Sequence, residues 1–408
     1  MKIEIIAPEK EIKNVVLLPA SKSISNRMLT IQALCKERIE IQNLATSKDT
    51  LVLSAAYKNI DTTEIDIGAT GTAMRFLTAF LSISPGERIL TGDFRMKQRP
   101  IAVLVDILRE FGAKIEYLEK EGFPPLKIEG TSLLAKRTQI KGNISSQYIS
   151  ALLMIAPYID GDFELTIVDK ILSKDYILMT TELMHKFGAE VEWIDNTIKV
   201  KRAEYKSGEI TVESDWSSAS YWFEIVSLIP NSEIELEGLH KNSLQGDSVL
   251  IDLFRTLGVE SKFTNLGILI KNIATKCSFF EYDFSRCPDL VQTLVVTLVA
   301  KNITFNLYGL DNLSIKETDR INALITEFNK LGIHLKSESN KELIWAGNET
   351  ITIPENHIVE TYDDHRMALA FAPISVVTKK ISIKKPNVVI KSYPNYWDSL
   401  RKVGFKIQ

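Results

Sequence analysis

Two cations and three hydroxyls crowd into ten residues, Leu18-Pro19-Ala20-Ser21-Lys22-Ser23-Ile24-Ser25-Asn26-Arg27. An apolar, strand-like run from Val15 to Leu18 stops at Pro19, and a helical run from Met28 to Leu34 follows. Proline breaks regular structure and Ser or Asn suits a helix N-cap, so the cluster should open a helix. The free N–H groups of that first turn, with Lys22, Ser23 and Arg27, would suit a phosphate or a carboxylate. The same pattern also describes an ordinary capped helix with solvated charges.

Four further stretches concentrate polar chemistry. Arg95-Met96-Lys97-Gln98-Arg99-Pro100 puts three cations into a turn closed by proline; alone, such a run is most simply a solvated surface turn. Lys316-Glu317-Thr318-Asp319-Arg320 spaces two cations four apart, which predicts one helical face with Glu317 beside them, or a plain helix start with a surface ion pair. Tyr362-Asp363-Asp364-His365-Arg366 joins two carboxylates, an imidazole and a guanidinium. Lys391-Ser392-Tyr393-Pro394 adds a cation before a proline turn. The five histidines lack ligand spacing, so no metal site is expected. Cys287 has no base beside it and reads as a structural thiol, and Asp289 as either an acid/base group or a cap. Neither a Walker motif, nor Gly-x-Ser-x-Gly, nor a dinucleotide fingerprint is present. Many cations, several hydroxyls and two candidate acid/base carboxylates suit proton transfer on a polyanionic substrate.

The elements that must position these groups repeat. Helix openings fall at Ser21, Gly71, Ser145, Ser217, Pro288 and Asp364, about 70 to 75 residues apart after a first gap near 50. Alternating strands follow, at Ile39–Ile41, Glu164–Ile167, Glu233–Leu236, Ile303–Leu307 and Ile381–Ile383. Second helices end on a glycine stop at Gly112, Gly188, Gly258, Gly332 and Gly404, where left-handed φ costs glycine little. The unit is about βαβαββ, six times over, with a break near Val212-Glu213-Ser214-Asp215. Periodicity alone allows either one ring or two groups of three. With 408 residues, 45% apolar and 25% charged, the chain is an ordinary globular one. A net charge of −3 argues against nucleic acid or an acidic membrane as partner, so anion-binding cations must be gathered locally. Neither a signal-peptide core at Met1–Ile5 nor a spanning apolar run is present, and three scattered cysteines make no disulfide framework; a cytoplasmic protein is expected.

In combination these stretches resemble the EPSP synthase family, the 3-phosphoshikimate 1-carboxyvinyltransferases, over essentially the whole chain. The matching segments are Leu18–Arg27, Gly71-Thr72-Ala73-Met74-Arg75, Arg95–Ile101, Ser145-Ser146-Gln147, Lys316–Arg320 and Asp364–Ala368, in the family order. The resemblance implies an α/β, two-lobed enolpyruvyl-transferase fold, its six repeats arranged as two inside-out α/β barrels of three repeats each that close on the substrates. One lobe would combine residues 1–20 with 214–408 and the other would span 21–213. The implied reaction transfers the enolpyruvyl group of phosphoenolpyruvate to the 5-hydroxyl of shikimate 3-phosphate and releases phosphate, a step toward chorismate and the aromatic amino acids. It implies small-molecule substrates, a monomer, and neither metal nor organic cofactor.

By matching position, the resemblance implies that Lys22, Ser23, Arg27, Ser145, Ser146, Ser173, Asn312 and Lys316 hold shikimate 3-phosphate. Gln147 would touch both substrates, as would Lys22. Gly71, Arg99, Arg320, Arg366 and Lys391 would hold phosphoenolpyruvate. Asp289 would contact shikimate 3-phosphate and take its hydroxyl proton. Glu317, helped by Lys22, would deliver a proton to carbon and later remove one. The chain departs from the family pattern at Ala20, Ala69-Thr70, Phe76 and Trp216, beside rather than on the chemical groups. Two other functions compete. The related transferase acting on UDP-N-acetylglucosamine usually carries a cysteine in the loop before its Arg-Pro, and Gly92–Pro100 has none. A non-catalytic binder of phosphorylated metabolites would have no need of Asp289 and Glu317 facing anions.

Overall fold

Short polar side chains start the helices where hydroxyl or carboxylate oxygens can take a free N–H. Ser21 caps α1 (Lys22–Leu34), and Ser47 caps α2 (Lys48–Lys58). Thr70 precedes α3 (Gly71–Ile83), and α4 spans Ala102–Glu110. Ser145 caps α5 (Ser146–Ile155), and α6 spans Lys174–Lys186. Asp215 caps α7 (Trp216–Leu228), followed by α8 (Leu250–Thr256) and α9 (Val291–Ala300). Asp319 caps α10 (Arg320–Lys330) and Asp364 caps α11 (His365–Phe371), before α12 (Ser375–Thr378) and α13 (Tyr396–Lys402). The five glycine stops all adopt positive φ, between 77° and 101°.

This computed structural model describes residues 1–347, 349–352, 354 and 357–408. The chain divides into two compact units, Ser21–Val212 and Met1–Ala20 with Glu213–Gln408. Among the described residues each contains three small sheets. In the first unit these are Glu64–Asp66, Gly86–Thr91, Leu126–Gly130 and Lys114–Tyr117; Val191–Ile194, Thr197–Val200, Phe163–Val168 and Arg137–Lys141; and the pair Gly208–Thr211 with Ile39–Gln42. In the second they are Val259–Phe263, Gly267–Asn272, Glu233–Glu237 and Lys13–Leu17; Phe279–Asp283, Thr304–Tyr308 and Glu342–Trp345; and Ile358–Val359, Lys380–Lys384, Lys2–Ile6 and Lys406–Ile407.

Every sheet contains one parallel pair. In four repeats the pair is the strand before a buried helix and the strand after it, a closed βαβ unit; Arg137–Lys141, α5 and Phe163–Val168 form one. At the two crossings the partners are exchanged. Lys13–Leu17 precedes α1 but pairs with Glu233–Glu237 after α7, while Gly208–Thr211 precedes α7 but pairs with Ile39–Gln42 after α1. Each exchanged strand is thereby paired on one side and lies at the edge of its sheet.

The helix that opens each repeat lies inside, and the sheets lie outside it. In one unit α3 and α5 are buried almost along their whole length and pack on each other and on α1; in the other α9 packs on α7 and α11, which are equally buried. Helices buried on all sides need their hydroxyls satisfied internally. Thr78 Oγ1 donates to the Met74 carbonyl at 2.7 Å and Thr297 Oγ1 to the Thr293 carbonyl at 2.7 Å, and Ser220 pairs with Thr293 at 3.0 Å.

Glu224 breaks that rule. It is fully buried in α7, and neither carboxyl oxygen has a hydrogen-bond partner among the described residues. Burial raises its pKa well above the ordinary carboxyl range, so it folds as the neutral acid. Its contribution to stability is full below the unfolded value and is lost as pH rises toward the folded one. Urea unfolding at pH 5 and pH 8 should show the parent losing stability by up to about 1.4 kcal/mol per pH unit relative to Glu224→Gln. Equal pH slopes for the two proteins would mean that Glu224 is not buried as the neutral acid.

Candidate active site

In the unit spanning Ser21–Val212, side-chain bonds gather the starts of four helices. Lys22, the first residue of α1, reaches Asp49 in the first turn of α2 (Nζ–Oδ2 3.4 Å). The other oxygen of Asp49 accepts from Thr70, the residue preceding α3, at 3.4 Å. One step further, Gln147 in the first turn of α5 donates to Thr72 Oγ1 at 3.0 Å. Four sets of unsatisfied N–H groups therefore face one region, whose potential favours anions. Ser23, Ser145 and Ser146 lie on these same turns, Ser145 as the cap of α5.

Arg27 is buried one turn deeper in α1 and pairs with no carboxylate among the described residues. Neutral groups hold it: Nε donates to Thr180 Oγ1 at 2.7 Å, and Nη2 to Ser150 Oγ at 3.0 Å and to the Tyr176 carbonyl at 3.2 Å. The rings of Phe76 and Tyr176 each lie 5.8 Å from the guanidinium. Burial pushes its pKa down to about 10. Ser173, just ahead of α6, is buried with φ +56°, a left-handed backbone at a serine.

Gly71 lies against two arginine side chains. A Cβ there would stand 2.6 Å from Arg99 Nη1 and 2.9 Å from Arg75 Nη1. Arg99 closes the 3₁₀ turn Met96–Gln98 and is half-buried. Arg75 is buried, donating to the Gly71 and Pro100 carbonyls at 3.0 and 3.3 Å and stacking over Tyr148 at 5.3 Å.

The second unit gathers opposite charges. Arg320, the first residue of α10, is buried and donates to three carboxylates: Asp364 at 2.8 Å, Glu317 at 2.9 Å and Asp289 at 3.0 Å. Burial works against its charge, but those carboxylates more than offset it and hold the pKa above the ordinary arginine value. Arg366, on α11, shares Asp289 at 2.8 Å and reaches Tyr221 OH at 3.3 Å and Ser217 Oγ at 3.4 Å. Ser217 in turn bonds Asp247, whose pKa is pushed up to about 7 by burial and by the charge of Asp289. Lys316 is half-buried, and burial lowers its pKa although Asp289 opposes the shift. Asn312 is buried at the start of the turn Leu313–Ile315, and Lys391 donates to the Asp363 carbonyl at 3.0 Å.

The structure corrects one spacing argument. Lys316 and Arg320 do not share a helical face, because Asp319 accepts from Asn322 N–H at 3.1 Å and α10 begins only at Arg320. Lys316 lies in the loop before that cap. Asp289 is also no cap: its carboxylate is engaged by Arg320 and Arg366 instead. Asp49, Asp247 and Thr180 carry no motif signal and enter only through contacts distant in sequence, while Ser217 was legible only as a helix opening. Arg75 lay within a recognised segment but without a role.

Repeated βαβαββ units whose helix starts carry arginines, lysines and paired carboxylates define a group-transferring enzyme for anionic substrates. The profile of the EPSP synthase (3-phosphoshikimate 1-carboxyvinyltransferase) family matches residues 6–66 and 54–400. A 3-phosphoshikimate 1-carboxyvinyltransferase of Bacteroides fragilis is 48% identical over 407 residues, 99% of this chain and 98% of the relative. One from Vibrio vulnificus is 36% identical, with 98% of each chain covered. The chain belongs to the EPSP synthase family. Its fold is that of the EPSP synthase from Acinetobacter baumannii, with a TM-score of 0.80 at 20% identity and full coverage of both chains.

The hydroxyls under Arg27 are balanced donor for donor. Thr180 Oγ1 donates to the Tyr176 carbonyl at 2.8 Å and accepts from Arg27, while Ser150 lies 2.8 Å from it. Thr180→Val keeps the shape but removes a buried acceptor from a cation. Urea unfolding should register a loss of about 1–3 kcal/mol, with Thr180→Ser recovering most of it. A stability equal to the parent's would show that these bonds do not hold Arg27.

Proposed function

We propose that this protein transfers the enolpyruvyl group of phosphoenolpyruvate to the 5-hydroxyl of shikimate 3-phosphate, giving 5-enolpyruvylshikimate 3-phosphate and inorganic phosphate. The observation that carries the reading is the pair of carboxylates, Asp289 and Glu317, held on one buried guanidinium beside Lys316 and Arg366. Anion-binding cations alone would suit any phosphorylated ligand. Two carboxylates among them also supply groups that can take up and release protons.

Both substrates are polyanions, and the residues divide between them as the family resemblance implies. In this reading Lys22, Ser23, Arg27, Ser145, Ser146, Ser173, Asn312 and Lys316 bind shikimate 3-phosphate, and Gly71, Arg99, Arg320, Arg366 and Lys391 bind phosphoenolpyruvate. Gln147 and Lys22 serve both. Charge-assisted bonds from arginine to carboxylate and phosphate oxygens supply orientation as well as affinity.

Glu317 begins as an ionised partner of Arg320. When the phosphate and carboxylate of phosphoenolpyruvate take over that guanidinium, Glu317 loses its counter-charge and its proton affinity rises. Having taken up a proton from solvent, it delivers that proton to the methylene carbon of phosphoenolpyruvate, leaving the adjacent carbon cationic. The 5-hydroxyl oxygen attacks that carbon while Asp289 takes the hydroxyl proton. In the second half Glu317 removes a proton from the new methyl group, the C–O bond to phosphate breaks, and phosphate leaves with its electron pair. Arg99, Arg320, Arg366 and Lys391 hold the charge that accumulates on the departing group.

The reading is tested by measuring phosphate release from phosphoenolpyruvate with shikimate 3-phosphate and, separately, with UDP-N-acetylglucosamine as acceptor. Release with shikimate 3-phosphate alone is expected; release only with the nucleotide sugar, or with neither, would overturn it. Glu317→Gln should bind shikimate 3-phosphate nearly as well as the parent and turn over ~10²-fold more slowly. Calorimetry and initial rates measure the two separately, and near-normal turnover would remove Glu317 from the proton path.

A further inference from the structure

Two adjacent residues ahead of α11, Tyr362 and Asp363, adopt left-handed backbones with φ +53° and +56°. Side chains of that size rarely enter this region, and such a conformation persists only where its surroundings impose it. What imposes it comes from α10. Glu327 is fully buried there, two helical turns beyond Arg320. Its Oε1 accepts from Tyr362 OH at 2.6 Å and from Lys330 Nζ at 2.6 Å, and its Oε2 accepts from the Glu360 N–H at 3.3 Å. One buried carboxylate therefore grips the turn at two points, and the turn delivers the residues around Arg320. Asp364 donates its N–H to the Thr361 carbonyl at 2.8 Å, then holds Arg320 Nε at 2.8 Å and the Arg366 N–H at 2.9 Å. The Asp363 carbonyl meanwhile receives Lys391 at 3.0 Å, and its carboxylate receives Lys385 at 2.9 and 3.0 Å.

These bonds close a ring. From Arg320 it runs to Asp364, back through the left-handed turn to Tyr362, across to Glu327, and along α10 to Arg320 again. Three cations assigned to phosphoenolpyruvate, Arg320, Arg366 and Lys391, are attached to this ring, and Glu327 touches none of them. We propose that Glu327 and Tyr362 are positioning residues that hold the turn at 361–364 in register with α10 and thereby set the phosphoenolpyruvate-binding cations. The consequence for that substrate rests on the functional reading above; the positioning itself does not.

Tyr362→Phe removes the hydroxyl that Glu327 grips and keeps the ring in place. Hydrogen exchange followed by mass spectrometry should show peptides covering 361–366 exchanging ~10-fold faster or more than in the parent, with the rest of α10 unchanged. Steady-state kinetics should show KM for phosphoenolpyruvate raised ~10-fold and KM for shikimate 3-phosphate unchanged, as for displaced binding groups. Glu327→Gln keeps an oxygen that can accept from Tyr362 OH and should fall between parent and Tyr362→Phe on both readouts. A merely structural role would lower the melting temperature while leaving the ratio of the two KM values alone, and that result overturns the proposal. So does unchanged exchange at 361–366. Should the parent fail to release phosphate from this substrate pair, the functional reading falls, and the exchange measurement still decides whether Glu327 and Tyr362 hold the turn.

Discussion

A guanidinium in a protein interior must be matched, because the desolvation of its charge costs several kcal/mol. Arg320 is matched by three carboxylates that come from three different chain segments: Asp289 before α9, Glu317 in the loop before α10, and Asp364 capping α11. Losing any one of them would leave the rest miscompensated, at about 3–5 kcal/mol for a broken buried pair. One side chain thus fixes the starts of three helices relative to one another within its unit. It also makes the cluster responsive. A ligand bearing phosphate and carboxylate competes with Asp289 and Glu317 for the same donors, and whatever it displaces becomes more basic. The stabilising interaction and the proposed acid/base function draw on one guanidinium.

The other unit handles buried arginine in the opposite way. Arg27 and Arg75 are held by hydroxyls, carbonyls and aromatic faces, with no carboxylate beside either among the described residues. Neutral partners satisfy donors without cancelling charge, and the depressed pKa of Arg27 records the cost of its burial. The charge left over is offered to an incoming anion together with the N–H groups of four helix starts. A ligand bound there would stabilise the unit by mass action in proportion to its affinity. A chain whose net charge is −3 can therefore hold locally uncompensated cations.

How much of this could be read in the amino-acid order depends on how local each determinant is. Helix openings at Ser21, Ser145 and Asp364 were legible because a cap and its N–H lie within three residues, and the glycine stops because a left-handed φ is a single-residue property. Lys316 and Arg320 misled because four-residue spacing predicts a shared face only inside a helix, and the cap at Asp319 lies between them. Gly71 was legible as a position but its surroundings were not, since the Arg99 guanidinium beside it belongs to a segment well along the chain. Asp247 and Glu327 were invisible: one acts through Ser217 and the other through Tyr362, and neither spacing has a period. The exchange of strands Lys13–Leu17 and Gly208–Thr211 was equally hidden, because each strand looks locally like the start of its own repeat.

The departures from the family pattern acquire a physical meaning once the layers behind the site are visible. Phe76 does not face a ligand; it is fully buried, and its ring lies 5.8 Å from the Arg27 guanidinium. A proline there would offer no aromatic face, so the phenylalanine adds a neutral electron-rich wall to a cation that has no carboxylate. Trp216 is the first residue of α7 and is fully buried, its backbone N–H donating to Gln245 at 3.1 Å. Gln245 also donates to the Ser214 carbonyl at 2.8 Å, and Ser214 bridges to Ala20, so the departures at Ala20 and Trp216 meet where these two segments of chain run side by side. Neither replaces a group that could bond a substrate. Both are buried and uncharged, and what they change is the packing where these two segments meet.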